Sequence, residues 1–202
     1  MSENRDRGKV FTALAVSVDG YITGRDPRVG HGLGDGGMLF DWYFDGDTQS
    51  RVLPGFHLSV PSARVFDQVA GRLGAVVVGR KTFEDSDRFG GGSPHADVPL
   101  VLLSHHADGV SERQTLVTTG IADAIGAARE LAGGKDVGLM GGGMTTEALK
   151  AGLVDELILH QVPILLGGGR PFFQELPAHI RLTLVEAVPA PGVTHLRYEV
   201  GK

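Results

Sequence analysis

Three short runs of apolar residues predict strands that are buried on both faces. The runs are Val10–Val16, Ala75–Val78 and Val137–Met140, and they contain few polar positions. Continuous apolar runs of this length are typical of interior strands in a parallel sheet. Shorter β-rich runs predict two further strands at Pro99–Leu103 and Thr115–Val117.

Apolar positions three and four residues apart predict helices between these strands. We expect one helix from Pro61 and Ser62 to about Leu73, with the Ser62 side chain capping its first turn. Two more helices are expected at Ile121–Ala132 and Thr145–Ala151. Because strands and helices alternate, the fold class is α/β.

The last third of the chain has a different pattern. Glu156–Val162 predicts a strand, Pro163–Gly169 a glycine-rich turn, and Ile180–Val188 and Thr194–Val200 an antiparallel pair. The sequence therefore predicts a mostly parallel central sheet that ends in a C-terminal antiparallel hairpin.

Two segments lack regular periodicity. Residues 1–9 are polar and expected to be a disordered tail, whereas residues 10–202 are expected to form a single domain. Residues 25–61 are rich in glycine and acidic residues. A connection of this length is usually functional or mobile, and we expect the loop from Gly24 to Phe56 to close over a ligand.

Charge and composition exclude several classes of function. The net charge of −5 argues against a nucleic-acid partner, because phosphate backbones are bound by basic surfaces. The chain has no cysteine, which rules out disulfides and thiolate metal sites. No stretch resembles a signal peptide or is long enough to cross a bilayer, so we expect a soluble cytoplasmic protein without a membrane partner.

Two glycine-containing signatures each follow a predicted strand. They are Gly79-Arg80-Lys81-Thr82 and Gly141–Thr146, which reads Gly-Gly-Gly-Met-Thr-Thr. Glycine lets a ligand approach the backbone, free amides at a helix start bind phosphate, and an arginine can grip phosphate with two hydrogen bonds. Each signature alone is equally well explained as a surface turn, and the triplet lacks the spacing of a Rossmann turn. Together they predict a cofactor with several phosphates.

The two signatures, in order with three others, resemble the dihydrofolate reductase-like superfamily. The others are Ala15–Ile22, Leu102–Ser104 and Val154–Leu157. The resemblance covers nearly the whole chain and is greatest to the reductase domain of the riboflavin-biosynthesis deaminase-reductase and its stand-alone relatives. It implies the three-layer α/β fold of that superfamily.

The resemblance also implies NADPH as the cofactor. In the family, the two glycine turns clamp the pyrophosphate, a serine after the next strand contacts the adenosine side, and the first strand lines the nicotinamide. An arginine with that serine favours the 2′-phosphate of NADPH over NADH. By position, the cofactor-binding residues here are Ala15, Ile22, Gly79, Arg80, Lys81, Thr82, Leu103, Ser104, His105, Met140, Gly141, Gly142, Gly143, Met144 and Thr145.

On the substrate side the chain departs from both known groups. Dihydrofolate reductases carry an acid early in the helix before the Gly-Arg-x-Thr strand, where this chain has Ala63 and Arg64 and its carboxylate, Asp67, comes about a turn later. Riboflavin-pathway reductases carry a glutamate before the Gly-Gly motif, where this chain has Met140. The resemblance thus implies a reductase and leaves the substrate open.

The candidate catalytic residues are Asp19 and Asp41. Asp19 can orient the substrate or the nicotinamide amide, or simply cap the turn before Gly20. An ordered water is an equal alternative as the proton donor.

The candidate substrate-binding residues are Trp42, Phe44, Arg64 and Asp67. Trp42, with Phe40 and Phe44, can form an aromatic wall over a flat heterocycle. Packing of the long loop explains the aromatics as well. No metal site is expected, since adjacent histidines at a strand end, such as His105 and its neighbour, point apart.

The expected reaction is hydride transfer from NADPH to a C=N or C=O carbon of a small heterocycle or a ribosylaminopyrimidine-type substrate. It resembles that of 5-amino-6-(5-phosphoribosylamino)uracil reductase. The alternatives are a catalytically silent NADPH- or nucleotide-binding module and a dihydrofolate reductase-type activity. We also expect a homodimer through the apolar strands Glu156–Val162 and Ile180–Val188, the edge through which such relatives associate.

Overall fold

The computed structural model describes residues 7–201, which form ten strands and four α-helices. The strands are β1 (Val10–Ser17), β2 (Thr48–Gln49), β3 (His57–Leu58), β4 (Leu73–Gly79), β5 (Leu100–Leu103), β6 (Gln114–Val117), β7 (Asp136–Met140), β8 (Glu156–Val162), β9 (Leu182–Ala190) and β10 (Val193–Val200). The helices are α1 (Val60–Arg72), α2 (Arg80–Asp85), α3 (Ile121–Ala132) and α4 (Gly142–Lys150), with 3-10 segments at Gly34–Tyr43 and Asp87–Gly91.

Eight of these strands form one sheet in the order β6-β5-β4-β7-β1-β8-β10-β9. Neighbouring strands are parallel from β6 to β8, and the last two pairs are antiparallel. The predicted α/β fold, with its mostly parallel sheet and C-terminal hairpin, is confirmed.

The central strand β4 packs on both of its faces. Ala75 and Val77 belong to the core cluster that includes α3 and α4. Val76 and Val78 point the other way and pack with Phe83 of α2. This two-sided burial explains the continuous apolar run, because Ala75–Val78 is buried on both faces of the sheet.

Two helix starts differ from the prediction. The cap of α1 is Ser59, whose Oγ accepts a hydrogen bond from the amide of Ser62 at 3.4 Å. Ser62 lies inside the helix and is buried; its assignment as the cap was wrong, because two serines three residues apart fit the same capping pattern. The last helix begins at Gly142, so part of the glycine triplet forms its first turn.

The strand β8 lies between β1 and β10, inside the sheet. The expectation that Glu156–Val162 forms an exposed dimer edge was therefore wrong: β1 and β10 pair with its two backbone edges, and Leu157 and Ile158 are each 1% exposed. The edge strand is β9, where Leu182, Leu184 and Val185 are 42%, 53% and 41% exposed.

The long loop predicted at residues 25–61 contains local structure. Leu39 and Trp42 of the 3-10 segment Gly34–Tyr43 are buried in a core cluster with Ala15 of β1. The short strands β2 and β3 pair antiparallel within the same loop. Packing of its aromatics, which the sequence left as an alternative, accounts for part of this segment.

Most of the predicted N-terminal tail, residues 1–6, lies outside the described residues. Lys9, the last residue of that tail, donates its amide to Asp136 Oδ1 at 2.8 Å. Within residues 7–201, no helix combines the length and apolarity needed to span a membrane.

Candidate functional site

The two glycine signatures lie side by side at one edge of the sheet. Strands β4 and β7 are parallel neighbours, and their register pairs Val78 with Met140. Gly79 and Gly141 therefore follow these strands at the same carboxyl edge, where open α/β sheets bind their ligands. The fold thus joins two turns that are about sixty residues apart in the sequence.

Glycine is required at the second turn by its backbone angle and by its neighbours. Gly141 has a φ of 121°, and a Cβ there would lie 2.8 Å from Thr82 Oγ1 of the first turn. At Gly142 a Cβ would lie 2.5 Å from the carbonyl oxygen of Phe172. The amide of Thr145 donates the first helical bond, to Gly141 O at 3.1 Å. The amides before it have no partner within the helix and can bind an anion.

Arg80 is held in place by a neighbouring loop. Its Nη1 donates to the carbonyl oxygens of Asp108 at 2.9 Å and His106 at 3.4 Å, and its Nε donates to Glu84 Oε1 at 2.8 Å. The side chain remains 20% exposed. A guanidinium fixed in this way is positioned in advance for a phosphate.

Ser104 stabilises the loop that holds Arg80. Its buried hydroxyl donates to the carbonyl oxygen of His106 at 2.9 Å and accepts the amide of the same residue at 3.0 Å. Leu103 is half-buried and His105 is exposed. The Ser104 hydroxyl is thus used within its own turn, which favours positioning of Arg80 over the adenosine contact that the resemblance implies.

A cavity of about 400 Å³ opens beside the two turns. We call it the cationic cavity, because its charged lining residues are Arg80, Lys81 and Arg170. Among the described residues, none that lines it is acidic. Positive charge beside backbone donors suits a polyanionic ligand. The predicted cofactor residues that line it are Ile22, Gly79, Arg80, Lys81, Thr82, Gly141, Gly142, Gly143 and Met144.

A second cavity, of about 490 Å³, adjoins the first. We call it the apolar cavity, because Leu33, Phe40 and Tyr43 line it together with the predicted cofactor residues Ala15 and Met140. Both volumes fall in the range of small-molecule sites. The residues common to the two cavities are Ile22, Thr23, Thr82, Gly141 and Arg170. One extended ligand can therefore occupy parts of both.

Asp19 links the turn after β1 to the loop after β8. Its Oδ1 accepts from Ser17 Oγ at 2.6 Å and from the Leu166 amide at 3.1 Å, and its Oδ2 accepts from the Gly167 amide at 2.7 Å. These hydrogen bonds, chiefly the one from Ser17, lower the pKa of the Asp19 carboxyl below its usual value. Such a carboxylate is a weak proton donor at neutral pH. The contacts favour a positioning role over the predicted catalytic one.

The 3-10 segment carries three predicted site residues. Asp41 and Phe44 are exposed, and Trp42 is buried against Tyr43, with ring centroids 4.0 Å apart. Among the described residues, the apolar cavity takes Phe40 and Tyr43 from this segment and none of those three. An aromatic wall is present in the described lining: the predicted ring Phe40 belongs to it, and Tyr43 takes the place of Trp42 and Phe44.

The two predicted residues of α1 also lie apart from the cavities. Asp67 accepts a hydrogen bond from Ser50 Oγ at 2.6 Å and from the Arg51 amide at 3.1 Å. Arg64 is exposed, and neither residue is among the described lining of the two cavities. Asp67 therefore holds the turn at residues 50–51, which argues against the substrate contact predicted for it.

Behind the aromatic wall lies a buried histidine pair. The Nδ1 atoms of His160 and His195 are 2.8 Å apart, and His195 Nε2 lies 2.9 Å from Ser62 Oγ. Trp42 packs on both rings, at centroid distances of 5.0 and 5.1 Å. Burial, with the nearby His195 adding to it, lowers the pKa of His160 to about 3, and burial lowers that of His195 to about 4. Both rings are therefore neutral at physiological pH.

Sequence reasoning missed an ion pair in the apolar cavity. Arg170 Nη1 contacts Asp85 Oδ2, and both residues line the cavity. Asp85 ends α2, and Arg170 directly follows a third glycine run, Gly167–Gly169, in the loop after β8. A glycine run after a strand was the available signal, but only the sheet order shows that this loop opens at the same edge as the other two turns.

Comparison with known proteins agrees with this geometry. The Bacillus subtilis (strain 168) protein YyaP is 24% identical over 98% of both chains. A Shewanella sp. PV-4 protein named for riboflavin biosynthesis is 25% identical, with a TM-score of 0.67 over 97% of this chain and 99% of that one. Dihydrofolate reductase from Enterococcus faecalis, solved with NADP(H), shares the fold at 16% identity, with a TM-score of 0.59 over 97% and 98% of the two chains. The profile of the RibD C-terminal domain matches residues 8–196, so the chain belongs to that family of dihydrofolate reductase-like fold.

Proposed function

We propose that this protein is an NADPH-dependent reductase that transfers hydride to a C=N or C=O carbon of a small conjugated acceptor. The family is one of reductases, which supports an oxidoreductase. The observation that carries the proposal is the pair of glycine turns on adjacent strands, which open on a cavity lined by cations and backbone donors.

The residues of the cationic cavity fit a dinucleotide. The amides at the start of α4 and the close approach permitted at Gly141 suit the pyrophosphate. Arg80, fixed by the carbonyls of the loop at 106–108, suits the 2′-phosphate. The Enterococcus dihydrofolate reductase of the same fold was solved with NADP(H), which supports this choice of cofactor.

The apolar cavity fits the acceptor and the nicotinamide. When bound, NADPH supplies the hydride; the acceptor carbon gains it, and the acceptor nitrogen or oxygen takes a proton from water. The chain's own part is to align the two ligands and to exclude bulk water, through Phe40 and Tyr43 of the long loop. Water is the proton source we favour, because Asp19 is committed to hydrogen bonds and Asp41 lies outside the described lining.

Calorimetric titration with NADPH and NADH tests the proposal. We expect NADPH to bind in the micromolar range or better and NADH at least about tenfold more weakly, because hydrogen bonds to a charged phosphate are strong. Absence of NADPH binding by the folded protein would contradict the proposal. Tight NADPH binding without oxidation by any pterin, imine or quinone acceptor would instead indicate a binding module.

We also infer a homodimer through β9. Leu182, Leu184 and Val185 form an exposed apolar stripe on this edge strand, and such edges are normally covered. Light scattering should give twice the 21.3 kDa of the chain. Leu184→Glu should return the mass to that of one chain, and a wild-type monomer at micromolar concentration would refute the inference.

A further inference from the structure

The apolar cavity contains two ionised side chains, and they neutralise each other. Asp85 and Arg170 form an ion pair within the lining, and their side chains are 18% and 31% exposed. His31 also lines the cavity, and its Nδ1 lies 3.1 Å from the carbonyl oxygen of Asp26. Among the described lining residues, Arg170 is the one arginine or lysine, and its partner is the carboxylate of Asp85.

Two hydrogen bonds, one from the backbone amide and one to the backbone carbonyl, hold Arg170 in place. Its amide donates to Thr23 Oγ1 at 3.1 Å, and its carbonyl oxygen accepts the amide of Ile22 at 2.9 Å. Its side chain lines both cavities, whereas Asp85 lines only the apolar one. The ion pair therefore lies where the cationic and apolar cavities meet, and Asp85 cancels the positive charge on the apolar side.

The remaining lining suits a flat uncharged ring. Phe40, Tyr43 and Leu33 lie on the long loop, and Leu14, Ile22 and Met140 come from β1, its turn and β7. Aromatic and branched side chains of this kind bind planar ligands by burial and by ring contacts.

A charged acceptor is disfavoured by the same arrangement. A phosphate or sulfonate that bound Arg170 in the apolar cavity would have to displace Asp85, which would leave that carboxylate without its partner. A neutral acceptor leaves the ion pair intact. Electrostatics thus discriminates against anions and contributes little to binding a neutral ring.

Resting on the reductase function above, we propose that the acceptor is an uncharged, planar, conjugated compound without phosphate, such as a quinone or a neutral heteroaromatic imine. Asp85 is the specificity-determining residue, since it withholds Arg170 from anionic acceptors. The hydride adds to the acceptor, the displaced electron pair moves to its oxygen or nitrogen, and water supplies the proton.

The test compares two acceptors that differ in charge. The probes are 2-methyl-1,4-naphthoquinone and 1,4-naphthoquinone-2-sulfonate, titrated at pH 8, where an imidazole is ordinarily neutral. Binding without cofactor is followed by the fluorescence of Trp42, the single tryptophan, which stacks on the cavity residue Tyr43. We expect the neutral quinone to bind at least about tenfold more tightly than the sulfonate, because a desolvated unpaired anion is costly.

Charge removal at Asp85 provides the second arm. Asp85→Asn should tighten sulfonate binding about tenfold and change neutral quinone binding by less than about threefold, since only the anion gains from a released Arg170. The matched control is Asp87→Asn, which removes the same charge from an exposed residue outside the described cavity lining and should change neither affinity.

Equal wild-type affinity for the two probes, or unchanged sulfonate affinity in a folded Asp85→Asn protein, would overturn the inference. The wild-type comparison needs no variant, so it remains decisive if Asp85→Asn does not fold. Calorimetry with NADPH separates the two levels of the proposal. If the folded protein does not bind NADPH, the reductase function is contradicted. If it binds NADPH but does not prefer the neutral quinone, only the acceptor class is contradicted.

Discussion

The cationic and apolar cavities meet at Arg170, but they are built in different ways. The cationic cavity is formed by backbone at the ends of two adjacent strands, where Gly141 leaves no room for a side chain. The apolar cavity is formed by side chains that the long loop brings over the sheet, chiefly Phe40 and Tyr43. Strand pairing fixes the first, and side-chain packing fixes the second.

The two cavities therefore differ in which features of a ligand they can recognise. Backbone donors and fixed glycines recognise a group common to many ligands, such as a pyrophosphate. Side chains on a loop recognise the shape and charge of one compound. Under the proposed function, the cationic cavity would therefore recognise the cofactor, and the apolar cavity would select the acceptor.

Gly141→Ala should cause the largest effect, because it adds a side chain to the backbone-built cavity. The φ of 121° and the approach to Thr82 Oγ1 within 2.8 Å both oppose a Cβ. We expect NADPH to bind about 100-fold more weakly, as strain of this kind costs about 1–3 kcal/mol before any steric loss. Calorimetry measures the affinity, and thermal unfolding checks the fold.

Gly143→Ala is the matched control. A Cβ there would lie 3.1 Å from the flexible Gln174 amide nitrogen, so NADPH affinity should change by less than about threefold. Equal losses for the two variants would show that the second turn has no special role for Gly141.

Acidification should lower the stability of the fold, because the buried histidine pair beside the apolar cavity is neutral in the folded state. His160 and His195 have pKa values lowered to about 3 and about 4, against about 6.5 in the unfolded chain. Below pH 6.5 the unfolded state therefore binds more protons, and stability falls as the pH decreases towards those folded-state values. Between pH 7 and pH 5 the free energy of unfolding should drop by on the order of 4 kcal/mol, about 2 kcal/mol for each histidine, as measured by urea denaturation.

Two histidine variants locate this pH dependence. His195→Gln should remove much of the loss, whereas His179→Gln, at an exposed position, should leave it in place. Because the pKa of Asp19 is lowered from its usual value, its titration lies below pH 5 and contributes little to the stability change between pH 7 and pH 5. Stability that is flat from pH 7 to pH 5 would contradict the neutral buried pair.

Arg80→Ala should reduce NADPH affinity about tenfold and leave NADH affinity nearly unchanged, because a charged phosphate loses its hydrogen bonds to the guanidinium. Parallel titrations with the two cofactors measure the ratio. A similar loss for both would place Arg80 at the pyrophosphate, so the comparison also assigns its phosphate.

Tyr43→Phe should give the smallest effect. Burial raises the pKa of the Tyr43 hydroxyl, which keeps it protonated at neutral pH, and it can donate a hydrogen bond to an acceptor in the cavity it lines. We expect acceptor affinity to fall about threefold, the value of a neutral hydrogen bond. NADPH affinity should not change, and Tyr198→Phe on β10 is the control.

The sequence predicted the parts of the site that depend on local pattern. Gly79 to Thr82 and Gly141 to Met144 were found because each combines a strand, a glycine turn and a helix start within a few residues. The strand order, which makes the two turns neighbours, is a non-local property. Periodicity does not reveal it, and the family resemblance implied only that the two turns clamp one pyrophosphate.

The residues that sequence reasoning missed depend on packing between distant segments. Asp85 and Arg170 are far apart in the chain and pair only because α2 and the loop after β8 open at one edge. Trp42 was predicted to belong to an aromatic wall, yet the 3-10 segment places it in the core. Asp67 was the available carboxylate on α1, but Ser50 and Arg51 use it.

The pairing of β4 with β7 has a consequence for how such chains can vary in length. Adjacent strands are separated by about 4.8 Å, whatever number of residues connects them. The β5, β6 and α3 elements between the two turns can therefore gain or lose residues in their connections without altering the gap between the turns, where we propose that the phosphates bind. Insertions at 118–120 should be tolerated in engineered variants, whereas one residue added within β7 would shift Gly141 away from Thr82.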